Sequence, residues 1–313
     1  MAVFTNLEKK EINSILNNYN LGALKNFNGI MEGIENTNYL IRTTKKKVIL
    51  TIFEKRVRNK DVPFFVKLMD AMNKKGFKCP KPIKRKDNTS IFKVKKKSAI
   101  IVSYLEGRSK KTLSRNECYK IGKQIALFHK ISSKLDIKRV NTLNIKNWIK
   151  IYNQTKKIYP QYSPKLKKYL DIYIKNKPKK LSTGIIHGDL FPDNIFFKNR
   201  KFAGFIDFYF SCNENFLYEL SVCINALCFN NNKIDKIKVK KLLDGYQSIR
   251  IIKKSELKYL NILNLGAAIR FFVTRLHDQK NTPKSAKIKK KDPKEYLFKM
   301  NYFYKNLDFK LYD

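Results

Sequence analysis

The spacing of apolar residues in this chain changes character once, near residue 106. Before that point they come in short runs separated by glycine- or lysine-bearing turns: residues 27–41 with a turn at Gly29 and Gly33, residues 47–53, then 91–94 and 99–105 around Lys95–Lys97. Short runs of this kind, rich in Ile, Val, Phe and Tyr, are strands. One helix precedes them, where Thr5 and Glu8 have capping-box spacing and Leu7, Ile12, Ile15, Leu16 and Tyr19 mark one face. A second helix interrupts them from Asp61 to Lys75, with Pro63 in its first turn and Gly76 closing it. From Ser114 onward helical spacing dominates, except in a cluster over 185–208 that holds two short apolar runs, 195–197 and 205–208. The order predicts an α+β, two-lobed chain: an N-terminal lobe on an antiparallel sheet over 1–106, and a larger, mainly helical C-terminal lobe over 107–313, with the boundary at Glu106-Gly107.

A length of 313 residues with 43% apolar and 13% aromatic side chains suits such a two-lobed enzyme and excludes a disordered chain. The charge is the outlier: 68 basic against 25 acidic side chains, a formal +43. Only 11 of the 68 are Arg; the other 57 are Lys, spread from Lys9 to Lys310. Base-edge readout and bidentate phosphate clamps lean on Arg, so the excess reads as a solvated lysine surface, Lys284–Lys291 included, and not as a specific nucleic-acid partner. A nucleic-acid-binding pseudoenzyme would gather its bases on one face and carry a broken catalytic set. Five cysteines, odd in number and without CxxC spacing, indicate neither a disulfide framework nor a zinc site. The first residues lack a charged region followed by an apolar stretch, and no run reaches the roughly 18 apolar residues of a membrane helix. The expectation is a reduced cytoplasmic protein without a membrane partner.

The segment that carries chemistry is Ile186-His187-Gly188-Asp189-Leu190-Phe191-Pro192-Asp193-Asn194, followed thirteen residues later by Asp207 in Phe205-Ile206-Asp207-Phe208. A carboxylate, an amide five residues on, and a second carboxylate ending a strand make a phosphoryl-transfer layout. One Asp orients a hydroxyl and accepts its proton, while the Asn and the other Asp hold Mg²⁺ against nucleotide phosphates. Pro192 stiffens the loop between them.

His-Gly-Asp-x-x-x-x-Asn followed by Ile-Asp-Phe resembles the catalytic pattern of the aminoglycoside-phosphotransferase and choline-kinase-like group, relatives of the protein kinases. Residues 29–39, 49–56, 63–65, 187–194, 206–210 and 266–278 are similar, more narrowly, to its bacterial homoserine-kinase subfamily, and the likeness covers nearly the whole chain. The resemblance implies a protein-kinase-like fold, ATP and Mg²⁺ as cofactors and L-homoserine as the small-molecule partner. It makes Asp189 the base, Asn194 and Asp207 the Mg²⁺ ligands, and His187 a support for the loop. The turn holding Gly29, Gly33, Asn36, Thr37 and Asn38 would cover the ATP phosphates, and main-chain groups at Tyr104 and Leu105 would meet adenine. Two departures stand out. Gly29-x-x-x-Gly33 is not the GxGxxG of protein kinases, and Thr51 occupies the place of the usual ATP-binding Lys, with Lys55 and Arg56 just beyond.

Homoserine is a zwitterion, so its pocket needs a cation for the carboxylate and an anion or carbonyls for the ammonium. Arg270 and Arg275 are the candidates for the first; at about 100° per residue they lie about 140° apart around one helix, and either can be the reader. Asp278 at the end of that helix, with Tyr209 and Asn225, would line the same cavity. Phe64-Phe65 and Phe271-Phe272 read as core. An aminoglycoside or choline-like alcohol is the alternative acceptor; such cations favour an acid-lined cleft.

Overall fold

In the computed structural model, which describes residues 4–31, 36–54, 57–281 and 291–308, the early apolar runs form one five-stranded antiparallel sheet. Its strands are β1 (Leu24–Ile30), β2 (Thr37–Thr43), β3 (Lys47–Ile52), β4 (Ile91–Val94) and β5 (Lys97–Ser103), in the order β1-β2-β3-β5-β4. Alternation sorts the side chains: Tyr39, Ile41, Val48, Leu50, Ile52, Ala99 and Ile101 share one core with Ile12 and Leu16 of α1 (Lys9–Leu16). On the other face Thr51 pairs in register with Asn38 of β2 and Ile100 of β5. A second helix, α2 (Val62–Lys74), buries Phe64 and Phe65 as expected, with Pro63 in its first turn.

The start of α1 differs from the expectation. The capping box is Glu8 with Glu11, and the Thr5 hydroxyl donates instead to Glu54 at 2.7 Å. Glu54 also accepts from Thr37 at 2.8 Å and pairs with Lys97, so Thr5 is drawn to a carboxylate, a stronger acceptor than its own helix offers.

The chain divides into two compact units, one built mainly from residues up to Gly107 with Ala203–Tyr209, the other mainly from Arg108–Phe202 and the chain from Phe210 on. The second is mostly helical: α3 (Arg115–Ser132), α4 (Ile145–Thr155), α5 (Ser163–Asn176), α6 (Phe216–Leu227), α7 (Lys236–Gln247), α8 (Lys254–Leu257), α9 (Leu260–Asn281) and α10 (Lys294–Lys305). Between α5 and α6 lie β6 (Thr183–Ile186), β7 (Ile195–Lys198), β8 (Lys201–Phe205) and β9 (Cys212–Asn215). β6 pairs antiparallel with β9, and β7 with β8 through a turn in which Asn199 and Arg200 take positive φ. The apolar run at 205–208 is not a strand: β8 ends at Phe205 and Asp207 takes φ +61°, outside extended geometry. Conversely, β9 is polar and shows no alternation, so its pairing is set by its partner and not by pattern. The long helix α9 is buried on almost every side from Leu260 to Leu276 and packs against α4, α5, α6 and α10. No helix among the described residues is long and apolar enough to cross a membrane.

Helices α3 and α7 meet backbone to backbone. A Cβ on Gly122 would lie 2.1 Å from the Leu242 carbonyl oxygen, and one on Gly245 would lie 1.9 Å from that of Tyr119. Gly245→Ala should therefore cost about 2 kcal/mol or more of unfolding free energy, because main chain cannot give way as a side chain does; a denaturant midpoint within error of the parent would contradict this contact.

Candidate active site

Residues 187–189 follow β6, and their backbone polar groups are all engaged within the second unit. The His187 and Gly188 N–H groups donate to the buried carboxylate of Glu219, in the first turn of α6, the latter at 3.0 Å. The His187 carbonyl accepts from Ser211 at 3.3 Å, and the Gly188 carbonyl accepts from Arg270 at 2.6 Å. The Asp189 N–H donates to His187 Nδ1 at 3.3 Å, and its carbonyl accepts from Asn194 Nδ2 at 2.8 Å and the Phe191 N–H at 2.9 Å. Gly188 itself takes φ +79°, and a Cβ there would stand 3.0 Å from the Phe210 carbonyl oxygen; glycine is what this corner admits.

This leaves the Asp189 side chain on a rigid stem. Asn194 Nδ2 donates to its Oδ2 at 3.2 Å, and Arg270 stands 4.0 Å from Oδ1. Because the Asn194 amide spends its N–H groups on Asp189, its Oδ1 is the group left to serve a hard cation. Among the described residues no cluster of three or more His, Cys, Asp or Glu side chains could hold a metal ion.

Glu219 and its neighbours were not legible as functional. His129 of α3, also buried, has Nε2 3.8 Å from Glu219 Oε2 and Nδ1 2.8 Å from the Tyr246 hydroxyl. Burial pushes the His129 pKa below its ordinary 6.5, against the pull of Glu219, so the imidazole is neutral near pH 7. The hindsight signal is a single acid inside the apolar run Phe216-Leu-Tyr-Glu-Leu-Ser-Val-Cys-Ile.

In the first unit, the Tyr209 hydroxyl donates to Thr51 Oγ1 at 3.3 Å, and Thr51 donates to Asn38 Oδ1 at 2.7 Å. A chain of neutral hydroxyls thus occupies the strand position expected to carry a lysine. The Tyr209 ring packs edge-on against Phe53 and Phe65, and its burial raises the phenol pKa. Thr37 faces inward, accepting from the Phe4 and Thr5 N–H groups at 2.9 and 3.1 Å, while Asn36 Oδ1 accepts from the Glu54 N–H at 3.3 Å. Gly29 pairs with Tyr39 across β1 and β2; Tyr104 and Leu105 follow β5, half-buried. Gly33, Lys55 and Arg56 lie outside the described residues, as does the basic stretch over 284–290.

The remaining substrate candidates separate. Arg275 donates to Glu295 at 2.7 Å and to the Asp292 carbonyl at 2.6 Å, and so fastens α9 to α10. Asn225 is buried against Asn264 at 3.1 Å, and its carbonyl accepts from Lys299 at 2.7 Å. Asp278 stands 3.7 Å from His277. Arg270 reaches the loop of Asp189.

The loop is locked around one aspartate, and the model of the phosphotransferase enzyme family matches residues 26–250. The chain belongs to that family. It is 39% identical over 307 residues to a homoserine kinase of Agrobacterium fabrum, covering 96% of this chain and 95% of that one, and 38% identical to a homoserine kinase of Rhizobium rhizogenes over 96% of each. Among solved structures it is similar to amicoumacin kinase in complex with AMP-PNP and Ca²⁺, with a TM-score of 0.72 at 12% identity over 98% of this chain and 95% of that one. The fold class is protein-kinase-like α+β.

Glu219→Gln keeps the shape but removes the charge and replaces one of the two oxygens that accept from the His187 and Gly188 N–H groups by a donor, so turnover should fall about tenfold or more, with the fold retained by circular dichroism. His129 sets a pH dependence of stability. Its folded pKa is depressed, so the unfolded chain binds a proton first as pH drops below about 6.5, and stability is lost in that direction. Thermal melts of His129→Gln should show a shallower loss between pH 7 and 5; an unchanged slope would contradict the neutral imidazole.

Proposed function

We propose that this chain transfers the γ-phosphoryl group of ATP to the hydroxyl of L-homoserine, giving O-phospho-L-homoserine for threonine synthesis. The observation that carries the chemistry is the Asp189 carboxylate, held by Asn194 at 3.2 Å at the end of a stretch, 187–189, whose backbone polar groups are all hydrogen-bonded. The near full-length likeness to homoserine kinases supports the acceptor. Asp189 receives the acceptor hydroxyl and takes its proton as the oxygen attacks the γ-phosphorus and the bond to the β-phosphate oxygen breaks. His187 supports the loop through Nδ1. Asn194 Oδ1 and the Asp207 carboxylate would hold Mg²⁺, which when bound would offset negative charge on the phosphates. Gly29 and residues 36–38 would serve those phosphates, and the main chain at Tyr104 and Leu105 would meet adenine. The residues up to Glu106 thus form the nucleotide-binding lobe, and those beyond carry base and acceptor.

An aminoglycoside or choline-like alcohol is the alternative acceptor; the likeness to homoserine kinases over 96% of the chain favours the carboxylate-bearing alcohol. ADP release by purified protein with Mg-ATP should depend on L-homoserine, and Asp189→Asn should lower it by about a hundredfold or more. Turnover of the variant within about threefold of the parent, a loss too small for a missing base, would remove Asp189 from this role. Preference for an aminoglycoside in an acceptor panel would overturn the substrate.

A further inference from the structure

We infer that Arg270 is a positioning residue for Asp189, not the group that reads the acceptor's carboxylate. The inference rests on the phosphotransfer reading above and concerns a residue that the sequence offers only as a substrate ligand.

Arg270 is 4% exposed, on a stretch of α9 that otherwise reads Ala267, Ala268, Ile269, Phe271, Phe272 and Val273. Its guanidinium lies over the Phe271 ring at 4.5 Å and faces the Phe210 ring at 5.9 Å. One terminal nitrogen donates to the Gly188 carbonyl at 2.6 Å, the other stands 4.0 Å from Asp189 Oδ1, and Nε is buried without an acceptor. Burying a guanidinium is costly unless it is paired, and an apolar side chain would fill this place at lower cost. What the charge does here is local. The N–H of Gly188 is held by a buried anion, Glu219, and its carbonyl by a buried cation, Arg270, from two different helices. Opposite charges on the two polar groups of one left-handed glycine set the direction in which the next residue leaves. That residue is Asp189, whose carboxylate then lies within the field of the same cation. A guanidinium buried against two rings, with one terminal nitrogen on the Gly188 carbonyl, is poorly placed to collect a ligand's carboxylate from solvent.

The test uses an acceptor pair that differs only in the carboxylate: L-homoserine and 3-aminopropan-1-ol. Initial rates on both, and acceptor-independent ATP hydrolysis, are compared between the parent and Arg270→Met and Arg270→Lys, with thermal melts to check folding. A positioning role predicts that Arg270→Met lowers kcat by a similar factor, about 30-fold or more, on both alcohols and on water, with the KM for homoserine moving less than about threefold. Arg270→Lys should recover part of kcat on all three, because it keeps the charge and loses the fork; should the Met variant not fold, this variant decides alone, by whether its loss is shared by all three acceptors. A loss confined to homoserine, seen as a raised KM with the amino alcohol and hydrolysis untouched, would overturn the inference and make Arg270 the carboxylate reader. A parent inactive on both alcohols would count against the acceptor proposed above, and the hydrolysis ratio would still decide the role of Arg270.

Discussion

The rest of the site depends on one contact: the buried Glu219 carboxylate accepting the backbone N–H groups of His187 and Gly188. Hydrogen bonds to a charged group contribute about 1.5–3 kcal/mol each, roughly twice the neutral kind. Here that strength is spent on holding two peptide groups of a corner that glycine alone can turn. With Ser211 and Arg270 on the carbonyls and Asn194 closing the loop from the far side, Asp189 leaves a frame with little freedom. Such preorganisation is what phosphoryl transfer asks of a protein, since the chemistry is mostly positioning and charge stabilisation.

The frame is built from helices that carry buried charge, and each charge has its support. His129 stands behind Glu219 and is tied to Tyr246, on the helix that crosses α3 at two glycines. Arg275, Glu295 and Lys299 link α9 to α10; burial works against the Glu295 charge, but the two cations, chiefly Lys299, outweigh it and hold the carboxyl below the usual range. That link holds α9, and α9 holds Arg270. In the first unit the opposite choice was made: where a lysine is expected on β3, Thr51 joins Asn38 to Tyr209 through neutral hydroxyls. Tyr209 stands two residues after Asp207, so this chain ties the segment of that carboxylate to the sheet.

The parts of this architecture that could be read from sequence are those whose signal is local. The sheet strands announce themselves through short apolar runs set off by turns, and the Asp189–Asn194 contact through residue type and interval. Signals that depend on a distant partner were misread or missed. Thr5 looks like a helix cap because Glu8 follows at the right interval, but Glu54, far along the chain, claims its hydroxyl. The run at 205–208 looks like a strand, yet Asp207 needs a left-handed backbone. Arg270 and Arg275 are equivalent as letters on one helix and separate only when the loop and α10 are in place. Glu219 is the plainest case. An acid in the first turn of a helix passes for ordinary capping chemistry, and nothing local says that its partners are N–H groups more than thirty residues upstream.

The most direct test of the account is amide hydrogen exchange of the peptide spanning residues 185–191, in the absence of nucleotide, compared between the parent and Glu219→Gln. A loop locked by the buried carboxylate should be protected in the parent as well as the core of α6 is, and should lose that protection in the variant while α3 keeps its own. Rapid exchange of this peptide in the parent, at the rate of an open loop, would contradict the claim that Asp189 is held in place before substrate arrives.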